Sequence, residues 1–170
     1  MATEVERPTD AQLHAYKAVH HAEYLRITAH DAGGTNRLIH TTELPTEGTD
    51  PVVTPALDHL YSKAVIDLTS GPVFLELPAV DDRYFSIHVT DEEHYTIYDE
   101  VRPRGRFVFV RTDRGVEVPD GVAIIECPED YPHLFIRVQL KNDADKPNAM
   151  AIQQQIVLTG ESRTLEFDNP

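Results

Sequence analysis

The amino-acid sequence predicts a mostly β domain, an antiparallel β-sandwich or jelly-roll-like fold with an N-terminal helix and a C-terminal helix. The main observation is a series of short runs rich in β-branched and aromatic residues, each bounded by Gly, Pro, Asp or Ser. Connections such as residues 69–72 are too short for a crossover helix, which favours antiparallel neighbours. The predicted strands are residues 64–68, 73–77, 84–90, 107–111, 122–126 and 134–140.

The chain is long enough to bury a core of its own. It has 170 residues, of which 41% are hydrophobic, and it contains no internal repeat or linker-like segment. We therefore expect a single domain over residues 1–170. Its β-rich core is predicted to span residues 35–158, followed by a tail or last strand over residues 159–170.

An N-terminal helix is predicted over residues 9–32. Thr9 or Asp10 can cap its start, and Gly33 stands where a helix commonly ends. Apolar side chains recur within it at three- and four-residue spacing, which predicts the face that packs on the core. That predicted stripe is Leu13, Tyr16, Val19 or His20, and Tyr24. Histidines on or beside the helix are expected to be solvated, namely His14, His20, His21 and His30.

A second helix is predicted over residues 143–155. Asp143 or Asp145 can cap it, and Pro147 suits the first helical turn, where no backbone N–H is required. The C-terminal helix therefore follows the last predicted strand of the core.

The charge balance excludes some classes of partner. The chain carries 29 acidic and 15 basic residues, a formal net charge of −14. Such a surface repels phosphate backbones and anionic lipid headgroups, so we expect no nucleic-acid partner and no membrane partner.

Cys127 is the only cysteine, so no internal disulfide can form. It ends an apolar run and is predicted to be a buried structural thiol. The N-terminus has no apolar stretch that suits a signal peptide, and no segment is long and apolar enough to span a membrane. We therefore expect a cytoplasmic location.

The common catalytic signatures are absent. The sequence contains no phosphate-binding loop, no dinucleotide fingerprint, no G-x-S-x-G elbow and no H-E-x-x-H pair. No H-x-H occurs either, which disfavours a cupin-type metal site. No cofactor is predicted, although a divalent metal stays open as an alternative.

Strand alternation gives the most informative prediction of a site. In residues 84–90, Tyr84, Ser86 and His88 share the face opposite the apolar one, and in residues 134–140 Arg137 and Gln139 do the same. We hypothesise that these polar sides form one concave surface. His88 would move a proton and Arg137 would hold an anion. The alternative is an outward, solvated sheet face.

A second group of candidates lies at residues 58–61. Asp58 is expected to turn the chain ahead of a strand, while His59 or Tyr61 could reach a pocket. Adjacent side chains point to different sides of an extended chain, so Asp58 and His59 are not automatically a dyad.

A metal site is the weaker alternative for the histidines, since imidazole and carboxylate groups suit zinc, iron or manganese. It would use His40, His59, His88 or His94 with Asp58 or Glu93.

The middle of the chain contains strand and turn residues in a characteristic order. They are residues 36–40, 55–62 and 66–73, then Pro78, Arg83, Tyr84 and Asp91, and finally residues 135–138 and the 143–155 helix. This order, over roughly residues 35–158, resembles the family called domain of unknown function 1254.

This resemblance implies a β-sandwich or jelly-roll-like domain and no particular chemistry. Ala56 and His59 stand where the family has asparagine and threonine, so His59 is the first candidate for a function of its own. Family members often carry an export signal and a second domain. Neither is visible in this sequence, so we expect a short, single-domain member.

The leading hypothesis is an enzyme acting on a small anionic or carbonyl-bearing molecule by metal-independent acid–base chemistry, of the lyase, isomerase or cyclase type. One alternative is a non-catalytic ligand-binding or assembly module, for which a homodimer is one form. Another is a metal-dependent enzyme that uses clustered histidines. The predicted catalytic residues are His59, His88, Tyr61 and Tyr84, and the predicted substrate-binding residues are Arg137, Ser86, Asp58 and Gln139.

Overall fold

Two β-sheets pack face to face, as the strand pattern predicts. The structure, a computed structural model, describes residues 7–46 and 56–165. Its elements in chain order are α1 (Asp10–Ala32), β1 (Ile39–His40), β2 (His59–Val65), β3 (Val73–Leu77), β4 (Phe85–Thr90), β5 (Thr96–Val101), β6 (Gly105–Arg111), β7 (Val122–Cys127), β8 (His133–Gln139), a 3-10 turn (Asp143–Asp145), α2 (Lys146–Gln154) and β9 (Val157–Thr159).

The five-stranded sheet has the order β1-β2-β8-β4-β5, and the four-stranded sheet has the order β7-β6-β3-β9. Among the described strands, β6 and β7 pair in parallel and every other pairing is antiparallel. The predicted fold class, a mostly antiparallel β-sandwich with a helix near each end, is therefore confirmed.

The inner faces of the two sheets form the hydrophobic core. Phe85, Ile87 and Val89 of β4 are buried, as are Ile136 and Val138 of β8, so strand alternation identified the core face of both strands. Burying one large apolar side chain stabilises the fold by about 1.5–3 kcal/mol, and this core is the main source of stability.

Cys127 lies at the end of β7 inside this core. Burial raises the pKa of its thiol to about 12, so the thiol stays protonated at neutral pH. It packs as a small apolar group, as predicted.

The ends of α1 follow the predicted signals. The Thr9 side chain accepts a hydrogen bond from the backbone of Gln12, whose side chain accepts one from the backbone of Thr9. Gly33 ends the helix in the left-handed conformation, with φ of 79°.

The buried face of α1 differs from the predicted stripe. His21, Leu25, Thr28 and Ala29 are buried, whereas the apolar residues at 13, 16 and 19 are exposed. Leu25 and Ala29 pack on Val65 of β2, so only the C-terminal half of the helix covers the sheet. The prediction failed because it assumed that the most apolar face of the helix would be the packed one.

The helix histidines also divide differently from the prediction. His14, His20 and His30 are exposed as predicted, but His21 is buried against the sheet, so the prediction was wrong for that residue.

None of the helices in the described ranges 7–46 and 56–165 is long and apolar enough to cross a membrane.

Two strands depart from their predicted positions. β2 begins at His59, earlier than the apolar run at residues 64–68 indicated, so Tyr61 lies within a strand. β5 was not predicted, because its sequence mixes exposed polar residues with half-buried apolar ones at the edge of a sheet. Charged edge strands of this kind give a weak hydrophobic pattern.

The C-terminal helix is confirmed with a different start. Asn142 caps the preceding 3-10 turn by accepting a hydrogen bond from the Asp145 backbone N–H. Of the two predicted caps, Asp145 is the N-cap residue of α2, although its side chain makes no capping hydrogen bond, and Asp143 lies within the 3-10 turn. Pro147 lies in the first turn of α2, as predicted. The tail forms only the short strand β9, which pairs with β3, and residues 166–170 lie outside the described residues.

A buried ion-pair network joins β4 to α2. The Arg83 guanidinium, 3% exposed, contacts Asp145 at 2.9 Å and Asp81 at 2.7 Å, and it also donates to the Gln139 carbonyl. The network therefore fixes the position of the C-terminal helix against the sandwich.

A second network holds the C-terminal segment. Both carboxylate oxygens of Asp67 accept hydrogen bonds from Arg163, at 2.7 to 2.9 Å. Asn36, which adopts a positive φ of 54°, accepts from the Asp67 backbone N–H and donates to the Glu161 carbonyl. Asp67 is buried and every one of its polar groups has a partner, as a structural ion pair requires.

Candidate functional site

The outward side of the five-stranded sheet carries the polar residues that strand alternation singled out; we call it the outer face. Arg137 of β8 stands opposite Tyr61 of β2 and opposite Ser86 of β4, and cross-strand partners share one face of a sheet. The structure therefore places these side chains side by side. Ser86 is fully buried, and within the described residues its hydroxyl has no hydrogen-bond partner.

Two cations on the outer face stack on one tyrosine. The guanidinium carbon of Arg137 lies 5.5 Å from the centroid of the Tyr61 ring, and Lys63 Nζ lies 5.4 Å from the same centroid. Lys63 also donates a hydrogen bond of 3.2 Å to the Tyr24 hydroxyl. Both cations are half-buried. Between residues 7 and 46 and between 56 and 165, no acidic side chain forms an ion pair with either of them.

His88 lies in the next row of the same face, opposite Phe135 of β8 and Asp99 of β5. Its Nε2 atom is 2.8 Å from the Thr96 hydroxyl. Burial lowers the pKa of His88, the charge of Arg137 lowers it further, and Asp99 opposes the shift. The imidazole is therefore neutral at neutral pH, and one of its nitrogens is free of a proton and able to accept one.

A second polar group lies at the end of the outer face where β2 begins. His59 pairs with Gln139 across the strands, and its ring centroid is 4.9 Å from that of Tyr84. The Gln139 side chain accepts a hydrogen bond of 2.9 Å from the Tyr84 backbone N–H, which orients its amide.

Asp58 and His59 are closer than an extended chain would allow. His59 Nδ1 lies 2.7 Å from an Asp58 carboxylate oxygen because Asp58 is in a turn, so the expectation that the two side chains diverge was wrong. The contact is poorly aligned for a hydrogen bond, and within the part of the chain that the structure describes both imidazole nitrogens lack an aligned partner.

The alternative metal set does not assemble. His40 pairs with Ser62 and its Nδ1 atom lies 2.7 Å from the Ser62 hydroxyl, which places it on the side of the sheet opposite His59 and His88. Among the described residues, no group of three or more His, Cys, Asp or Glu side chains converges as metal ligands. The set His40, His59, His88 and His94 was therefore wrong as one site.

A histidine cluster that was not predicted from the sequence lies under α1. Its members are His21 of α1, His94 of the β4–β5 turn and His133 of β8. The His21 and His94 ring centroids are 4.5 Å apart, and Tyr24 lies over His133 at 5.2 Å. The His133 ring in turn stacks on Phe135 at 4.1 Å. The predicted strand began one residue too late to place His133 on the same face as Arg137.

Burial dominates the electrostatics of this cluster. It lowers the pKa of His21 to about 4 and that of His133 well below its usual value, and the neighbouring His94 adds to both shifts. Considering described residues only, His133 has no hydrogen-bond partner for either ring nitrogen and His21 has none for Nε2. The cluster is therefore neutral and keeps unused hydrogen-bonding capacity.

The fold defines a class of protein, a two-sheet β-sandwich domain, whose larger sheet carries a cationic and aromatic cluster on its outer face. The chain belongs to the family described as protein of unknown function (DUF1254), whose model matches residues 35–160. The membership predicted from the order of strand and turn residues is thereby confirmed.

A solved structure supports the fold. The VPA0106 protein of Vibrio parahaemolyticus is similar with a TM-score of 0.74 and 21% sequence identity, over 95% of this chain and 42% of that protein. The chain therefore spans less than half of that relative. A putative uncharacterized protein from Burkholderia cenocepacia is similar at a TM-score of 0.41 and 14% identity, over 84% of this chain and 41% of that one. None of the curated proteins compared with the chain matches it.

Proposed function

We propose that the protein is an enzyme that binds a small anionic or carbonyl-bearing molecule on the outer face and acts on it by metal-independent acid–base chemistry. The observation that supports this most directly is the pair of half-buried cations, Arg137 and Lys63, on the ring of Tyr61. In a chain with a net charge of −14, acidic partners are abundant, yet these two cations have none among the described residues. A ligand carboxylate would supply the missing charge.

The proposed roles follow from the positions of the groups. Arg137 would hold the carboxylate in a bidentate contact, and Lys63 would stabilise negative charge that develops on a neighbouring carbonyl oxygen. His88, which is neutral and near Arg137, would accept a proton from the carbon next to that carbonyl. The electron pair of the broken C–H bond would move to the carbonyl oxygen. Return of the proton to another carbon gives an isomerisation, and loss of a β-leaving group gives an elimination.

The second polar group supports the same chemistry. His59 and Tyr84 are in edge contact, and both ring nitrogens of His59 are without an aligned partner within the described chain. We assign them to orienting the substrate or to delivering the second proton, and Asp58 to holding the His59 ring. Nucleophilic catalysis is less well supported, because Cys127 is in the core and no base contacts the Ser86 hydroxyl within the described residues.

Proton exchange in heavy water tests the proposal without knowledge of the full reaction. The protein is incubated with pyruvate, acetoacetate and oxaloacetate as probes, and deuterium entry at carbon is followed by NMR. We expect exchange above the uncatalysed rate, a loss of at least about a hundredfold in H88Q, and a weaker apparent affinity in R137Q. H30Q changes an exposed histidine of α1 and serves as the matched control.

The outcomes separate the two leading functions. Binding of a probe that needs Arg137 but leads to no exchange would favour a non-catalytic ligand-binding module. The absence of both binding and exchange with all of the small carboxylates would refute the proposed site.

An assembly module is the second candidate, and one observation favours it. Tyr16, Val19 and Ile27 of α1 are large apolar side chains that are exposed on the face of the helix opposite its buried residues. A homodimer through this surface predicts a sedimentation coefficient that falls to the monomer value in V19S/I27S.

The proposal also includes the cellular location and the class of partner. A cytoplasmic location agrees with a single, buried cysteine, and the acidic surface agrees with small-molecule rather than nucleic-acid partners.

A further inference from the structure

A groove runs between the exposed side of α1 and the β4–β5 turn. It encloses a volume of about 420 Å³, enough for a small organic molecule. Glu93 and His94 of the alternative metal set line it, whereas within the described chain none of the predicted catalytic or substrate-binding residues does. Its walls are mostly aromatic rings, from Tyr16, His20, His21, Tyr24, His94 and Tyr95.

The groove explains two exposed aromatic side chains. Tyr16 on α1 and Tyr95 on the turn are each 64% exposed, although tyrosines at such positions usually bury part of their rings. They line the groove from α1 and from the turn, and Tyr24 and His94 meet edge to face at 6.1 Å between the same two elements. Ring faces and edges presented in this way favour a planar aromatic occupant.

His21 provides one hydrogen-bond acceptor in the groove. Its side chain is 8% exposed, and in the described part of the molecule Nε2 has no partner. The backbone of Asp91 raises the pKa of the ring, against the larger effect of burial. In the neutral tautomer that is protonated at Nδ1, Nε2 carries a lone pair and can accept a hydrogen bond.

The remaining charges of the groove favour a neutral ligand. Lys17 and Glu93 both line it and both are exposed, so they offset one another at the mouth. The two histidine rings His21 and His94 carry no charge at neutral pH, since desolvation lowers the pKa of both. An ionised ligand would lose hydration there without gaining a counter-ion.

We propose that this groove binds a neutral, planar aromatic molecule whose ring N–H or O–H, of the indole or phenol type, donates a hydrogen bond to Nε2 of His21. The groove borders the outer face, because its Tyr24 hydroxyl accepts a hydrogen bond from Lys63, but the proposal does not depend on the activity proposed for Arg137 and His88.

Indole itself is a suitable probe because the chain contains no tryptophan, so the fluorescence of indole is free of protein background at wavelengths that tyrosine does not absorb. We expect indole to bind about tenfold more tightly than N-methylindole, which has the same ring but no N–H to donate. The variant H21F keeps an aromatic ring in place and removes the acceptor. We expect it to bind the two probes equally. H30F, at an exposed position outside the groove, is the matched control and should behave as the wild type.

The experiment has clear contrary outcomes. Equal affinity of the wild type for indole and N-methylindole, binding of neither, or discrimination that persists in H21F would overturn the proposal. Should H21F fail to fold, as its thermal unfolding would reveal, the two probes still decide the matter on the wild type. The nitrogen resonance of His21 in histidine-labelled protein then provides the second measurement, because it shifts on adding indole and not on adding N-methylindole if Nε2 accepts the bond.

Discussion

The arginines that join structural elements are paired with carboxylates, whereas the arginine on the outer face is not. This difference distinguishes the structural cations from the candidate ligand-binding one. Arg83, at the junction of β4 and α2, contacts two carboxylates and a carbonyl while almost fully buried. Arg163 makes a bidentate contact with Asp67. Arg137 on the outer face meets only an aromatic ring, and the described residues offer it no acidic partner. The fold thus pairs the charges that hold it together and leaves unpaired the charge where a ligand would bind.

Neutral polar groups show the same division. Asn36 uses both ends of its amide to tie the C-terminal segment to the β2–β3 connection. On the outer side of the larger sheet, by contrast, the Ser86 and Thr90 hydroxyls and both nitrogens of His133 are buried without partners in the described chain. A buried unsatisfied polar group costs about 1–3 kcal/mol, so several on one face indicate a surface not optimised for stability alone.

Removing Arg83 should have the largest effect of the changes we predict. The variant R83A leaves Asp145 buried beside α2 without its cation, and we expect the free energy of unfolding to fall by about 3–5 kcal/mol, measured by urea denaturation. R104A, which changes an exposed arginine, is the control and should stay within about 0.5 kcal/mol of the wild type. A loss below about 1 kcal/mol in R83A would show that the network is not what fixes α2.

The histidine cluster should give the next largest effect, as a dependence of stability on pH. Burial lowers the pKa of His21 from its usual 6.5 to about 4, so the unfolded chain binds a proton in this range that the folded chain does not. The contribution of His21 is complete above pH 6.5 and is lost as the pH falls towards 4, by about 3 kcal/mol. The charges facing the ring are those of His94, which adds to the shift, and Asp91, which opposes it.

The variant H21F removes this titration and serves as the comparison. Its unfolding free energy should decline less steeply between pH 6.5 and 4 than that of the wild type, when both are measured in urea at each pH. Parallel profiles for the two proteins would mean that His21 is solvated in solution, as the sequence analysis predicted.

The core could be predicted from the sequence because alternation reports it directly. Phe85, Ile87 and Val89 alternate with polar residues along the strand. Such a regular period of two indicates a β-strand with its apolar side on the core, and all three residues are buried. β5 gave no such signal, since an edge strand buries little and its residues mix charge with apolar character. The central strands of the sheets could therefore be predicted from the sequence, whereas the edge strand β5 could not.

The candidate site was only partly predictable for a different reason. Arg137 and His88 were found from the parity of single strands, whereas Lys63 belongs to the site only because β2 pairs with β8 in a particular register. Register is set by packing and turns between distant segments, which one sequence does not reveal. The same limit led His40 to be grouped with His88, although the strands place them on opposite sides of the sheet.

The smallest predicted effect on stability is also the most direct test of the contrast between Arg83 and Arg137. Because Arg137 is half-buried and leaves no acidic partner behind within the described residues, R137Q should change the free energy of unfolding by less than about 1 kcal/mol. Its affinity for a small carboxylate should nevertheless fall at least about tenfold, measured by calorimetric titration with any probe that binds the wild type. A loss of several kcal/mol in R137Q would place Arg137 with Arg83 among the structural cations. That result would contradict the proposal that the outer face binds an anion.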